Sequence, residues 1–292
     1  MNFTSNPEFL MKIIRKKFFF PILIFLLAAL FWGNTSIERE EFTFSSPALP
    51  ENFDGFRIVQ LSDLHGREFG EDNARLLAAV ENSTPDLIAL TGDLVDSDSN
   101  PEDLREFLRS LAALAPTYYV TGNHEWGSHQ AKACVDVFSD CGVICLENEY
   151  VPITRDEDTV FLAGIHDPNG YADQKTPQAL AGELYAAEDD PFWLLLAHRN
   201  NLFSGTYCRL GADLTLSGHG HGGIWRLPFT DGLFSTNLTL FPSFTDGFYR
   251  CTDGDCEGSY VFVSRGLGNS PHYVPRIFNR PQLAVITLEK AR

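Results

Sequence analysis

The chain has 292 residues, 44% hydrophobic and 21% charged, which excludes a disordered or fibrous protein and suits one large domain or two small ones. Its formal charge of −17 is unevenly placed: residues 1–17 carry Lys12, Arg15, Lys16 and Lys17 against Glu8, a net of +3 that leaves −20 on the other 275 residues. A body that acidic repels nucleic-acid backbones, so no nucleic-acid-binding surface is expected.

Behind the basic residues 1–17, read as a cytoplasmic N-terminus, comes the uncharged run 18–32, FFFPILIFLLAALFW. A helix of that length reaches only ~22 Å against a ~30 Å hydrocarbon core. It becomes a marginal span if Ile13 and Ile14 join it while the basic side chains snorkel. The run is expected to be an uncleaved transmembrane signal anchor, with a cleaved signal peptide or a buried core helix as alternatives. Positive charges before it and Glu38, Glu40 and Glu41 after it predict a single-pass protein of the cell membrane with an extracytoplasmic body. Residues 33–50 read as a polar linker entering a first strand, and residues 51–292 as the folded domain.

Along that domain, short apolar runs alternate with helical patterns. Strands are expected at 56–61, 86–90, 117–120, 160–163, 192–197, 213–216, 260–263 and 283–288. Helices are expected at 71–82, 101–114 (with Asn100 as cap), 128–139 and 177–186. Such alternation implies an α/β domain. Six cysteines allow 15 pairings, so connectivity is not deducible, although Cys251 and Cys256 are spaced to close a small surface loop. No CxxC spacing is present, which argues against a structural zinc knuckle.

Each polar cluster follows one of the apolar strands: Ser62-Asp63-Leu64-His65-Gly66, then Thr91-Gly92-Asp93, then Gly122-Asn123-His124-Glu125. His198 ends the strand 192–197, and Ser217-Gly218-His219-Gly220-His221-Gly222-Gly223 follows 213–216. Singly these are a solvated loop, a turn, a helix cap and a core histidine. Together they are oxygen and imidazole donors at strand ends, where α/β folds gather their ligands.

In that order, D-x-H, GD, GNH(E), H and GHxH, the clusters resemble the calcineurin-like metallophosphoesterase superfamily over roughly residues 55–290. The resemblance implies two packed mixed β-sheets flanked by helices and a centre of two divalent metal ions, Mn, Fe or Zn. It assigns Asp63, His65, Asp93 and His221 to the first ion and Asn123, His198 and His219 to the second, with Asp93 bridging. Asp, Asn and His donors suit such borderline ions, and glycines beside His219 and His221 let backbone pass close by. Two ions ~3.5–4 Å apart would turn a bridging water into hydroxide for in-line attack on phosphorus. His124 would then bind the phosphoryl group or protonate the leaving oxygen. Arg199 either reaches a substrate phosphate or forms a plain salt bridge. Glu125 is expected as a surface carboxylate, with orientation of His124 as the alternative.

Residues 225–229, 247–250, 263–268 and 278–283 look like a membrane-anchored bacterial phosphodiesterase branch related to UDP-2,3-diacylglucosamine hydrolases of lipid A synthesis. Phe229, Phe234, Phe241, Phe244 and Phe248 crowd one segment that would either grip acyl chains or form a satellite cluster. The chain departs from the branch at Ile224, at Arg199-Asn200 and at His166, which affects expected substrate contacts rather than metal donors. The expected activity is hydrolysis of a phosphodiester or pyrophosphate, such as a glycolipid nucleotide or another envelope substrate. A phosphomonoesterase or protein phosphatase, and a non-catalytic metal-binding scaffold, are the alternatives.

Overall fold

The computed structural model describes residues 7–170, 174–227, 231–236, 238–252, 256, 258–269 and 274–292, with side chains from residue 19 onward. Helix α1 (Pro7–Thr35) leads into strand β1 (Glu38–Ser46). The elements then run β2 (Arg57–Leu61), α2 (Ala74–Glu81), β3 (Leu87–Thr91), α3 (Arg105–Leu114), β4 (Thr117–Val120), α4 (Asn123–Gly127), α5 (Ala131–Asp140) and β5 (Ile144–Cys145). The second half runs β6 (Glu149–Arg155), β7 (Asp158–Ile165), α6 (Pro177–Ala187), β8 (Trp193–Arg199), β9 (Leu214–Gly218), β10 (Gly247–Arg250), β11 (Tyr260–Val263) and β12 (Gln282–Lys290).

Two six-stranded mixed sheets result, in orders β1-β12-β2-β3-β4-β5 and β10-β11-β9-β8-β7-β6. Alternate strand residues point to opposite faces, and this sorts the core. Ile58, Ala89, Val120, Leu162, Leu194, Leu196, Leu216 and Phe262 fill the space between the sheets. Their neighbours Val59, Leu61, Ile88 and Leu90 turn outward under Leu76 and Val80 of α2 and Phe107, Leu108 and Leu111 of α3. On the other flank Ala163, Ile165, Leu195 and Val261 lie under Leu180 and Leu184 of α6. The order helix, sheet, sheet, helix is the expected fold class. Local signals act where the sequence places them: Asn100 accepts the Glu102 N–H at 3.1 Å at the turn leading into α3, and Thr176 accepts that of Ala179 at the start of α6.

Residues 38–46, expected within a linker, are instead an edge strand paired in parallel with β12 over its whole length. Phe42 and Phe44 of β1 pack on the inter-sheet core, while Glu38 and Glu40 pair with the Arg265 guanidinium at 2.7 and 2.8 Å.

The single-pass placement is also overturned. Among the described residues, no helix is long and apolar enough to cross a membrane. The uncharged run itself reaches only ~22 Å, and Gly33, Asn34 and Thr35 at the end of α1 are not apolar. Those last turns are tied to the domain. The Asn34 side chain donates to the Arg276 carbonyl at 3.0 Å and accepts the Arg276 N–H at 2.8 Å, and Arg280 stacks on Trp32 at 4.4 Å.

Leu196 is fully buried between the sheets, so Leu196→Ala leaves a cavity in the inter-sheet core. It is expected to cost about 2–5 kcal/mol of stability, measured by urea unfolding.

Candidate metal centre

The parallel strands β2, β3, β4, β8 and β9 end at one edge of the sandwich, and the five polar clusters meet there. Gln60, fully buried, joins the sheets beneath this edge by donating to Thr91 Oγ1 at 2.8 Å and to the Ser217 carbonyl at 3.0 Å. The pairing of β8 with β9 shifts register between Leu196 and Arg199, and His198 continues the inter-sheet face of Leu194 and Leu196, which turns it toward the centre.

All seven expected metal donors are brought together. Asp63, His65 and His221 form one group whose donor atoms lie within 4.8 Å of one another, and Asp93, His198 and His219 form another. Asp93 Oδ2 is 3.1 Å from His198 Nε2 and 3.9 Å from His65 Nε2, so it stands between the groups. Asn123 Oδ1 lies 3.2 Å from His198 Nε2. A third grouping sets His124 with His65 and Asp93.

Asp63, His65, Asp93, His219 and His221 all adopt positive φ, between 46° and 66°. Left-handed backbone costs an ordinary residue ~1–2 kcal/mol, and such strain persists where surrounding structure over-determines it. Two close approaches do so here. A Cβ on Gly122 would collide with the Asp93 carboxylate, and one on Gly218 with that of Asp63.

The hydrogen bonds behind the donors aim them. The His198 Nδ1–H donates to the Thr91 carbonyl at 2.8 Å, leaving Nε2 to face the centre. Asp96, which the sequence reading passed over, accepts from the Nδ1–H groups of both His65 and His124, at 3.1 and 3.0 Å. It stands three residues after Asp93, so a GDxxD spacing was the available signal. Glu125 is fully buried, which corrects the expected surface carboxylate. It accepts N–H bonds from Asp93 at 3.1 Å, Leu94 at 2.7 Å and Gly122 at 2.8 Å.

The electrostatics follow from burial and neighbours. Burial raises the Asp63 carboxyl, whereas Asp93 is lowered against its own burial by His198 and His65. Burial opposes protonation of His198, but the adjacent Asp93 raises it to about 10. Burial, then His198, pushes His219 down to about 3. The Nε2 atoms of His65 and His221 face each other at 3.1 Å. Two imidazole nitrogens so placed need a proton or a cation between them, and with buried carboxylates on either side this donor set fits divalent ions.

The remaining expectations divide. Arg199 is held by Asp167 through Nε at 2.6 Å and Nη2 at 3.0 Å, and this bond raises the guanidinium pKa further. Asn200 donates to the Phe244 carbonyl, and His166 bonds Thr121 Oγ1 at 2.8 Å. Phe248 joins Phe42, Phe44 and Phe262, Phe244 packs on Phe203 and Tyr249, and Phe234 on Trp225. Phe241 stays exposed, and Phe229 lies outside the described residues.

The chain is similar to known phosphoesterases. The family described as calcineurin-like phosphoesterase matches residues 56–223. An uncharacterized metallophosphoesterase of Bacillus subtilis (strain 168), YkuE, is 29% identical over 87% of this chain and 86% of its own. A Danio rerio transmembrane protein with metallophosphoesterase domain is 30% identical over 83% of this chain, which spans 55% of that protein. A solved structure, TT1561 of Thermus thermophilus, superposes with a TM-score of 0.47 at 15% identity over 73% of this chain and 90% of that one.

Replacing Glu125 by Ala strands the N–H groups of Asp93, Leu94 and Gly122. Affinity for Mn²⁺ is expected to fall ~10–100-fold, read by competition with a chromogenic chelator. Metal loading at pH 8 is expected to release protons, because the raised His198 holds one there that an ion must displace. Calorimetry in two buffers of different ionisation enthalpy measures the count, and zero release contradicts the assignment of His198.

Proposed function

We propose that this chain, which belongs to the calcineurin-like phosphoesterase family, cleaves phosphodiesters. Its place in that family makes it a metal-binding hydrolase of phosphoester bonds. Asp63, His65, Asp93 and His221 would hold one ion and Asn123, His198 and His219 a second, sharing Asp93. Divalent ions in such a site supply Lewis acidity that lowers the pKa of water and offsets phosphoryl charge.

The chain's own groups supply the remaining chemistry. His124 sits at the open side of the centre, with Nδ1 held by Asp96 and Nε2 3.9 Å from Asp93 Oδ2. Burial works against its proton, but Asp96 and Asp93 raise it to about 9, so at neutral pH it carries a proton to donate. A phosphoryl oxygen, or the oxygen of a departing alcohol, is the natural acceptor.

The observation that carries the diester reading is the engagement of the nearby guanidiniums. Arg199 is occupied by Asp167, Arg67 donates to the Asn34 carbonyl and to Asn269, and Arg276 to the carbonyls of Gly268 and Arg265. A terminal phosphate carries an extra negative charge that calls for a cation of its own, whereas a diester does not. An acylated diester or pyrophosphate of the UDP-2,3-diacylglucosamine type is the narrower substrate we favour. Exposed Leu238, Leu240 and Phe241 support it, because the segment they belong to folds back on the glycines after His221: the Leu233 N–H reaches the Gly223 carbonyl at 3.2 Å.

The chain loaded with Mn²⁺, Fe²⁺ or Zn²⁺ is expected to hydrolyse bis(p-nitrophenyl) phosphate faster than p-nitrophenyl phosphate. Faster monoester cleavage would make it a phosphomonoesterase, and inactivity with two ions bound would leave a scaffold. His124→Ala is expected to lower kcat ~10²–10⁴-fold with metal content unchanged. A loss of bound metal in that variant would make His124 a ligand instead.

A further inference from the structure

Three cysteines, one from the turn before β9 and two from the connection between β10 and β11, meet at the end of the second sheet away from the metal centre. Strand β10 runs antiparallel to β11, with Gly247 opposite Val263 and Arg250 opposite Tyr260. Cys251, directly after β10, therefore lies beside the start of β11, whereas the donors His219 and His221 follow the end of the parallel strand β9. Cys251 and Cys256 are joined as a disulfide, and Cys208 comes from the turn Tyr207–Leu210 ahead of β9.

The three sulfurs lie within 4.8 Å of one another, and all three residues are buried. One serine ties their backbones. The Ser259 hydroxyl donates to the Cys208 carbonyl at 3.0 Å, its carbonyl accepts the Cys251 N–H at 2.9 Å, and its N–H reaches the Cys256 carbonyl at 3.3 Å. A 290 Å³ cavity opens beside the sulfurs, lined by Cys208, Cys256, Asp213 and Ser259 among others.

We propose that, with the disulfide reduced, Cys208, Cys251 and Cys256 form a second, thiolate metal site for a soft or borderline ion such as Zn²⁺, whose fourth position opens to this cavity. A tetrahedral ion with Zn–S bonds of ~2.3 Å sets its sulfurs about 3.8 Å apart, which asks the Cys251 and Cys256 sulfurs to part once their bond is cut and Cys208 to stay within reach. Thiolates select softer ions than the Asp and His donors at the other end of the sheet.

The site is gated by redox state. A dithiol reductant gives two electrons and two protons to the Cys251–Cys256 bond, becoming a disulfide itself and leaving two thiols. The ion then displaces up to three thiol protons as it binds. A small-molecule disulfide that takes back the two electrons, and is itself reduced to two thiols, rejoins Cys251 and Cys256 and expels the ion, since a disulfide sulfur is no thiolate. The serine-clamped backbone keeps the three residues together in both states.

Cadmium titrated into the reduced, full-length chain tests this, because thiolate-to-cadmium charge transfer absorbs in the ultraviolet and the sulfur-free dinuclear centre is silent there. One equivalent is expected to build the band, and the unreduced chain to show none. Cys208→Ser is expected to lose about a third of the intensity and to bind about tenfold more weakly, as loss of one ligand in three implies. Cys134→Ser, in the other core, leaves the band unchanged. Should Cys208→Ser not fold, alkylation of the wild-type chain decides: cadmium is expected to protect Cys208, Cys251 and Cys256. A reduced, folded chain without the band, a band indifferent to Cys208→Ser, or alkylation of Cys208 unaffected by cadmium overturns the proposal. None of these readouts depends on phosphoester hydrolysis.

Discussion

Much of the site hangs on the Glu125 carboxylate. Its two oxygens take N–H groups from Asp93 and Leu94 in the turn after β3 and from Gly122 in the turn after β4. Those turns carry Asp93 and Asn123, and Asp93 is the residue that the proposed centre would share between its two ions. Without the carboxylate the amides would be buried and unpaired, at about 1–3 kcal/mol each, and the left-handed backbone of Asp93 would lose its restraint. The same turn seats His124, whose N–H donates to Asp93 Oδ1 at 2.8 Å. The proposed cation donors and proton donor are thus positioned by one carboxylate whose own bonds go to main-chain N–H groups.

What sequence inspection could see was whatever lies close along the chain. Apolar runs of β2, β3, β8 and β9 stand out because both of their faces are buried, and the motif at the end of each follows directly. Asn100 was legible because a cap lies within two residues of what it caps. The fold class followed from the same alternation.

What it could not see depends on distant partners. β1 begins Glu-Arg-Glu-Glu and reads as a solvated linker until Arg265 and Arg280 are brought against it. Glu125 looks like any surface carboxylate, since its partners are main-chain amides with no letter of their own. Cys208 stands 43 residues before Cys251, beyond any spacing rule, and only the pairing of β9, β10 and β11 unites them. The apolar run before β1 misled because the anchor reading rested on extending a short run with Ile13, Ile14 and snorkelling basic side chains, while the contacts of Asn34 and Trp32 with Arg276 and Arg280 are distant in sequence.

The parallel pairing of β1 with β12 also bears on how the molecule comes into being. β12 lies between β1 and β2, so strands made early in synthesis are joined through the one made last. Until residues 282–290 leave the ribosome, β1 lacks its neighbour and the exposed edge of β2 is an open template. Full cover for Phe42, Phe44 and Ile58 therefore requires a loop of more than 200 residues to close. The first sheet is thus closed by strands far apart in sequence.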